Sequence, residues 1–273
     1  MVLFAAKNQS KNKIPKLTIK CKICESGSVQ LFSHKILNKY EVTYYRCPAC
    51  YFVQTEEPFW IEEAYQNALN PEDTGLFKRN EEFRAKTAAL LFFLFDKGAK
   101  FVDFAGGYGI FTRMMRDTGF HFYWSDKYAN NMMAKGFEAK DGDYFECVTA
   151  FEVFEHMVNP NAEMQDIVKV ADSIIFSTRL IGETPPATDW WYYGFNHGQH
   201  VSLYSEKSLQ VLGEKFGLNL YTNHSNFHLL SKKKISPIVF QILLKLSKYG
   251  LYPIISFFLT SKTDADAHYL LGK

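Results

Sequence analysis

One run, Val102-Asp103-Phe104-Ala105-Gly106-Gly107-Tyr108-Gly109-Ile110-Phe111, restricts what this chain can fold into more than any other. Lys100-Phe101-Val102 leads into it as a short apolar strand after a break at Gly98, and Ile110, Met114 and Met115 leave it at helical spacing. The run predicts a buried strand, a glycine-rich turn and the first turn of a helix. Closely spaced glycines let a ligand approach the backbone, and a helix N-terminus adds unsatisfied N–H groups and positive dipole. Such a turn marks a nucleotide-type pocket at the carboxyl edge of an α/β sheet. No Gly-Lys-Ser/Thr follows, which argues against a phosphate-cradling P-loop. The dinucleotide fingerprint is also unmet, because Ala105-x-Gly107-x-Gly109 has no later glycine in register. Asp103 stands at the end of the first strand, and Asp126 ends the next, Phe120-His-Phe-Tyr-Trp-Ser125-Asp126. A carboxylate roughly 20 residues past the turn can accept hydrogen bonds from two ribose hydroxyls. The plainer reading makes Asp126 a turn residue before Lys127.

These motifs resemble those of the class I S-adenosylmethionine-dependent methyltransferases: an acid, then small residue-x-Gly-x-Gly, then an acid closing the next strand. A third stretch, Cys147-Val-Thr-Ala-Phe-Glu152-Val-Phe-Glu155-His156-Met-Val-Asn-Pro160, resembles the fourth strand and following loop of the subgroup carrying Glu-x-x-Glu-His. The resemblance spans about residues 85–230. It implies an α/β fold with a doubly wound, mostly parallel seven-stranded sheet, its last hairpin reversed, and S-adenosylmethionine as cofactor. It places Asp103, Ala105, Gly106, Gly107, Gly109, Asp126 and Phe151 against that cofactor. Ala105 stands where many members have glycine, and its methyl group fits if the local φ stays negative.

Ahead of this core, Cys21-Lys-Ile-Cys24 and Cys47-Pro-Ala-Cys50 form two pairs with 22 residues between them. Two such knuckles complete a closed four-cysteine zinc site, and Tyr40 to Arg46 is rich enough in β-formers for a hairpin. Residues 1–55 are therefore read as a small zinc-ribbon-like domain in which Cys21, Cys24, Cys47 and Cys50 hold a structural ion. Cys147, in an apolar strand, reads as core. Lys13, Lys16, Lys20, Lys22 and Lys35 make the ribbon basic, but without interleaved aromatics they read as a solvated surface. The chain's net charge of +2 points the same way, away from nucleic acid. Met1 to Lys20 has the pattern of neither a signal peptide nor a membrane span, so the cytoplasm and reduced cysteines are expected. A four-cysteine ribbon before a methyltransferase core also resembles a branch acting on sugars, including nucleotide-linked deoxysugars.

Residues 56–98 read as a helical connector or lid. Pro58 can open a helix with Trp60, Ile61 and Tyr65, which Asn70-Pro71 interrupts. A second helix is predicted from Thr74 to Phe95, with Leu76, Phe77, Phe83, Ala88, Leu91 and Leu94 as its apolar face. Tyr65, Asp73, Thr74 and Arg79 would then contact the cofactor's amino-acid end or the substrate, or serve only in packing and capping. In the core, residues 99–231, strands are expected at 100–104, 121–125, 146–150 and 173–178. Ser205 caps a helix over 206–216 that Gly217 stops, and 218–222 with 226–231 reads as a closing antiparallel pair.

If the chain turns helical after Phe151, Glu152, Glu155 and His156 share one face at the carboxyl edge of the sheet. Two mechanisms fit. His156 is the general base, oriented by Glu155 or Glu152, or the three bind a second divalent ion that holds the substrate oxygen. The latter is implied by relatives carrying Glu-x-x-Glu-His, including ubiquinone-pathway and small-RNA 2′-O-methyltransferases. Otherwise the acids charge-balance a helix N-terminus and His156 is structural. Asp189-Trp-Trp-Tyr-Tyr193 and Asn196-His-Gly-Gln-His200 lie in a long connection, where function concentrates. Tyr192 and Tyr193 can stack on sugar faces, and Asn196 and Gln199 can bond hydroxyls. His200 is placed to become a fourth metal ligand or the base itself, and it ranks above His197 because the family has histidine just before a segment like Val201-Ser-Leu-Tyr-Ser205.

The tail, residues 232–273, begins with Lys232-Lys-Lys234 and continues as an apolar stretch broken by prolines and lysines. It reads as a helical segment that packs as a hairpin, forms a homodimer face or lies on a membrane surface. The expected activity is methyl transfer to a small molecule or saccharide. The rival classes are a non-catalytic binding module on the same fold and an RNA 2′-O-methyltransferase.

Overall fold

The computed structural model describes residues 18–65 and 73–272, so the break expected at Asn70-Pro71 and the lysines at 13 and 16 lie outside the described residues. Among the described residues four strands come first: β1 (Thr18–Lys20), β2 (Gly27–Ile36), β3 (Tyr40–Arg46) and β4 (Val53–Thr55). Two helices follow, a single turn α1 (Ile61–Ala64) and the long α2 (Leu76–Leu94). The core alternates β5 (Lys100–Phe104), α3 (Ile110–Thr118), β6 (His121–Ser125), β7 (Cys147–Ala150), α4 (Pro160–Val168) and β8 (Ser173–Ser177). After a long connection come β9 (Ser202–Leu203), α5 (Glu206–Lys215), β10 (Asn219–Thr222) and β11 (Phe227–Ser231). The tail forms α6 (Pro237–Ser247), α7 (Leu251–Phe257) and α8 (Thr263–Leu270).

Among the described residues the main sheet has six strands, in the order β10-β11-β8-β7-β5-β6. β6, β5, β7 and β8 are parallel, and β11 runs antiparallel to β8 and β10, the reversed hairpin expected at the end. The seventh strand implied by the resemblance is reduced to one parallel bridge, Trp124 to Glu138. Residues 127–136 explain the loss: asparagines, lysines and a glycine replace the alternating apolar pattern a strand needs. Alternation on the remaining strands sends Val148, Ile174 and Phe176 to one face and Cys147 and Ile175 to the other. Both faces are covered, which is why these strands read as continuous apolar runs.

The four-cysteine segment is not sealed off at residue 55. Its antiparallel sheet runs β1-β2-β3-β4-β9, and the last strand comes from beyond the core strands. Cys21, Cys47, Cys50 and Phe52 share one apolar cluster with Val148, Phe154, Ile174 and Tyr204. Ser205, which caps α5 as expected and bonds the Ser208 N–H, also donates to Cys50 O at 2.7 Å. The small unit and the core thus share a hydrophobic interior.

On the other face, α2 packs Phe83, Leu90 and Leu91 against Phe227, Phe240 and Ile255 of β11, α6 and α7. Phe77, assigned to the apolar face of α2, instead stands exposed. The tail is pinned by Arg116, whose guanidinium donates to both Asp266 oxygens at 2.7 and 2.5 Å and to Phe122 O at 2.8 Å.

Candidate active site

β5 ends at Phe104 and the chain reverses at once. Ala105 takes φ 53°, so the expectation of a negative φ there does not hold. An L-residue in this conformation costs roughly 1 kcal/mol. The turn is held all the same: the Gly106 N–H donates to Ser125 O at 3.2 Å and the Gly109 N–H to Gly106 O at 2.9 Å. Gly106 is required by proximity, since a Cβ there would lie 2.7 Å from Asp103 Oδ2. Gly109, at φ 83°, is the N-cap of α3, with Asn131 and Ala134 filling the space beside it.

Asp103 lies beneath this turn, buried, and accepts hydrogen bonds from Thr149 Oγ1 at 2.8 Å and Thr112 Oγ1 at 3.3 Å. Burial pushes its carboxyl up to about 7, against those two hydrogen bonds. Asp126 accepts the Gly107 N–H at 2.9 Å on one oxygen and the Tyr128 and Ala129 N–H groups at 2.7 and 2.8 Å on the other. It therefore clamps the glycine turn to the turn after β6. Asp126 and Gly109 stand just behind the lining of the cavity that opens above the turn, which their neighbours Gly107, Tyr108, Ile110 and Ala129 reach.

That cavity, of about 820 Å³, lies at the carboxyl edge of the sheet. Asp103, Ala105, Gly106 and Gly107 form one end, with Phe151 beside them, and Arg79 and Phe83 of α2 form a wall. The far side carries Glu152, Glu155, His156, Tyr192, Asn196, Gln199 and His200. Of the expected contact residues, Tyr193 is turned away: its ring packs on Tyr44 and Phe32, and its hydroxyl donates to Pro186 O at 3.0 Å. Tyr65 does not line the cavity either, but its ring stands 6.0 Å from that of His156. The Gln199 amide donates one N–H to Ala64 O at 2.7 Å and keeps its other N–H and its oxygen. Arg79 grips Asp73 with two hydrogen bonds at 2.8 and 2.6 Å and approaches Glu152 at 3.6 Å.

The helical face expected for Glu152, Glu155 and His156 is not formed. Glu152 adopts φ 54°, and only a single 3-10 turn, Phe154–His156, follows. The reversal sends Glu152 to Ser177, whose hydroxyl accepts from the Glu152 N–H at 2.7 Å and donates to its carboxylate at 2.6 Å. Glu155 and His156 instead meet His200 from the long connection, with one ligand atom from each lying within 4.8 Å of the others.

Glu155 is fully buried. Tyr192 Oη donates to its Oε1 at 2.7 Å, while Oε2 has no hydrogen-bond partner among the described residues. Burial, with Glu152 nearby, pushes this carboxyl up to about 8. His156 Nδ1 sits 3.2 Å from Gln199 O and His200 Nδ1 sits 2.5 Å from Tyr192 O. Each contact suits an Nδ1–H donor and leaves the Nε2 lone pair free for a ligand. Burial holds both imidazoles neutral, pulling His156 down to about 4 and His200 well below its usual range. A buried carboxylate oxygen without a donor beside two oriented neutral imidazoles fits a divalent cation.

Sequence reasoning missed several lining residues. Arg179 follows the carboxyl end of β8, the position where ligand-binding residues concentrate, and its guanidinium lies 5.5 Å from the Trp191 ring. His34 reaches the cavity from β2 and stacks on Phe195 at 3.7 Å, a contact with no local signal.

A parallel sheet with a glycine turn and a buried acid at its carboxyl edge defines a nucleotide-type donor fold. The chain belongs to the methyltransferase-domain family, whose profile matches residues 77–223. Among solved structures it is similar to mitomycin 7-O-methyltransferase, at 16% identity and TM-score 0.41, over 64% of this chain and 61% of that one. It is similar to magnesium protoporphyrin IX methyltransferase from Synechocystis PCC 6803, at 13% identity and TM-score 0.44, over 63% of this chain and 92% of that one. For human N-acetylserotonin methyltransferase the values are 11% identity and TM-score 0.40, over 64% and 66% of the two chains. The chain thus spans less than two thirds of the first and third of these. No curated protein matches it.

Proposed function

We propose that this chain is an S-adenosylmethionine-dependent methyltransferase acting on an oxygen of a small-molecule or saccharide acceptor, held where Glu155, His156 and His200 converge. The observation that carries this reading is buried Glu155, whose Oε2 has no hydrogen-bond partner among the described residues, with one carboxylate oxygen within 4.8 Å of a ring nitrogen of each of two imidazoles anchored through Nδ1. These three residues would hold a divalent ion. When bound, such an ion acts as a Lewis acid that lowers the pKa of a coordinated hydroxyl. Tyr192 orients Glu155, and the carbonyls of Gln199 and Tyr192 orient the imidazoles. Asp103 and the backbone of Gly106 and Gly107 receive the methyl donor at the other end of the cavity. Methyl transfer from a sulfonium leaves a neutral thioether, so alignment and removal of one proton are the main demands. Trp190 and Trp191 offer faces for sugar C–H groups, and Arg179 a cation for an acidic substituent. General-base action by His156 alone is the weaker reading, because a base held near 4 drives proton removal poorly.

The four cysteines are proposed to hold a structural zinc. Cys21 and Cys50 sulfurs lie 3.7 Å apart and those of Cys24 and Cys47 3.4 Å apart. A tetrahedron with bonds of about 2.3 Å has edges of about 3.8 Å, far longer than a disulfide. All four thiolates are taken up by such an ion, so it leaves no position for substrate.

The test is transfer of radiolabelled methyl from S-adenosylmethionine to nucleotide sugars, glycans and RNA, after chelation and after adding back magnesium or manganese. We expect labelling of a small or saccharide acceptor that chelation suppresses and the ion restores. Labelling that is indifferent to chelation, with no ion bound by calorimetry, overturns the metal reading. Labelling of RNA alone overturns the acceptor class.

A further inference from the structure

Between Lys232 and Thr263 the chain carries six lysines and no aspartate or glutamate. The same segment forms α6 and α7. Phe240, Leu243, Leu244 and Ser247 turn one side of α6 into the core, while Ile238, Ile242 and Leu246 follow one another at four-residue spacing on its exposed side. Tyr249 continues that stripe, and α7 adds Ile254 and Phe257, the latter 84% exposed. So much exposed apolar surface in one place marks an interaction site.

Lys232 and Lys233 are held by Asp172 and Glu146 at 2.6 and 2.5 Å. Lys234, Lys245 and Lys248 are exposed and make no ion pair among the described residues; Glu82, whose carboxylate feels the charge of Lys248, is bonded to Lys86. Exposed apolar side chains flanked by unpaired cations, with no acid in the segment, complement an anionic and apolar surface together. An anionic bilayer is both.

We propose that α6 and α7 dock the protein on an anionic lipid surface, with Ile238, Ile242, Leu246, Ile254 and Phe257 entering the acyl boundary and the lysines meeting the headgroups. The helices lie on the bilayer and do not cross it. α6 has 11 residues and α7 has 7, and they bend by 89° at the break between them. At about 1.5 Å per residue α6 reaches roughly 16 Å, half the hydrocarbon thickness. A second copy is the poorer occupant. A two-fold interface would set this acid-free segment against itself, lysines facing lysines. Because the first turns of α2 line the cavity and its later turns pack on α6 and α7, docking sets the active site one helix away from the lipid.

The experiment is flotation of the full chain with vesicles of equimolar phosphatidylcholine and phosphatidylglycerol, and with phosphatidylcholine alone. We expect flotation with the anionic vesicles only, weakened by salt. Ile242→Glu with Phe257→Glu should abolish it. Lys245→Gln with Lys248→Gln should lower the partition coefficient about fivefold per lysine. All four positions are exposed, and an unchanged melting temperature and S-adenosylmethionine affinity check that each variant is folded. If the apolar variant fails that check, the lysine variant alone decides. Absence of flotation, equal flotation with neutral vesicles, or flotation that survives the folded variants overturns the proposal. So does a dimer by light scattering that Phe257→Glu dissociates without changing flotation.

Discussion

Tyr192 Oη and Glu155 Oε1 are joined by a 2.7 Å hydrogen bond between two buried side chains, and this bond decides which carboxylate oxygen is left for a ligand. The same hydroxyl accepts the Arg179 N–H at 3.0 Å, which ties the end of β8 to the 3-10 turn after β7. A single phenol therefore couples the loop carrying His200 to the loop carrying Glu155.

Tyr192→Phe removes the donor and keeps the ring. Leaving Glu155 Oε1 buried without it should destabilise the protein by about 1–3 kcal/mol, read by urea denaturation. Loss of an orienting partner should also weaken manganese binding at Glu155, His156 and His200 at least about tenfold by calorimetry. Full stability with full metal affinity would show that the bond orients nothing.

Asp103 ties stability to pH with a definite sign. The unfolded carboxyl titrates near about 3.9, whereas burial holds the folded one near about 7. Between those values the folded state binds the extra proton, so stability falls as pH rises from 4 to 7 and levels off above. Asp103→Asn removes this loss. The variant's melting temperature should gain on wild type across that window, with no further gain above it. Its affinity for S-adenosylmethionine should drop, because the carboxylate supporting the turn is gone. A melting difference that is flat from pH 4 to 7 contradicts the shift.

The parts of this fold that depend on local spacing were readable: the strand–glycine–helix run, the paired cysteines, the Ser205 cap and the reversed hairpin each need only neighbours. What was not readable depends on partners far along the chain. Helical spacing groups Glu152 with Glu155 and His156, but its positive φ accompanies its bonds to Ser177, which holds both its N–H and its carboxylate. Ala105 accepts a left-handed φ because the surrounding turn is bonded to β6 and clamped by Asp126. The sheet of the four-cysteine unit borrows Ser202–Leu203 from residues that follow the core strands, and no composition shift marks that exchange.

Asp126→Ala frees three backbone N–H groups, those of Gly107, Tyr128 and Ala129. The turn then loses its clamp, and S-adenosylmethionine affinity should fall at least about tenfold, the equivalent of 1.4 kcal/mol. Asp126→Asn keeps one acceptor oxygen and should lie between the two. Titration calorimetry that finds the alanine variant unchanged removes Asp126 from the donor site.

Stripping the zinc proposed for the four cysteines should destabilise more than the small unit. Cys21, Cys47 and Cys50 share a core with β7 and β8, and Ser205 donates to Cys50 O. Chelation, or Cys50→Ser, should lower the melting temperature of one cooperative transition and release about one zinc per chain. Two separated transitions in calorimetry would mean the unit unfolds alone.

The tail is tested through Arg116 and Asp266, of which 4% and 5% is exposed. Asp266→Ala strands a buried guanidinium and should cost about 3–5 kcal/mol, far more than a surface ion pair is worth. Replacing both residues by apolar ones, Arg116→Met with Asp266→Leu, removes the stranded charge and should recover most of that loss. Recovery should stop short of wild type, because Phe122 O loses the 2.8 Å donor it takes from Arg116. Denaturation midpoints of the two variants separate these contributions. A single alanine substitution costing under about 1 kcal/mol would show that α8 is not held by this pair.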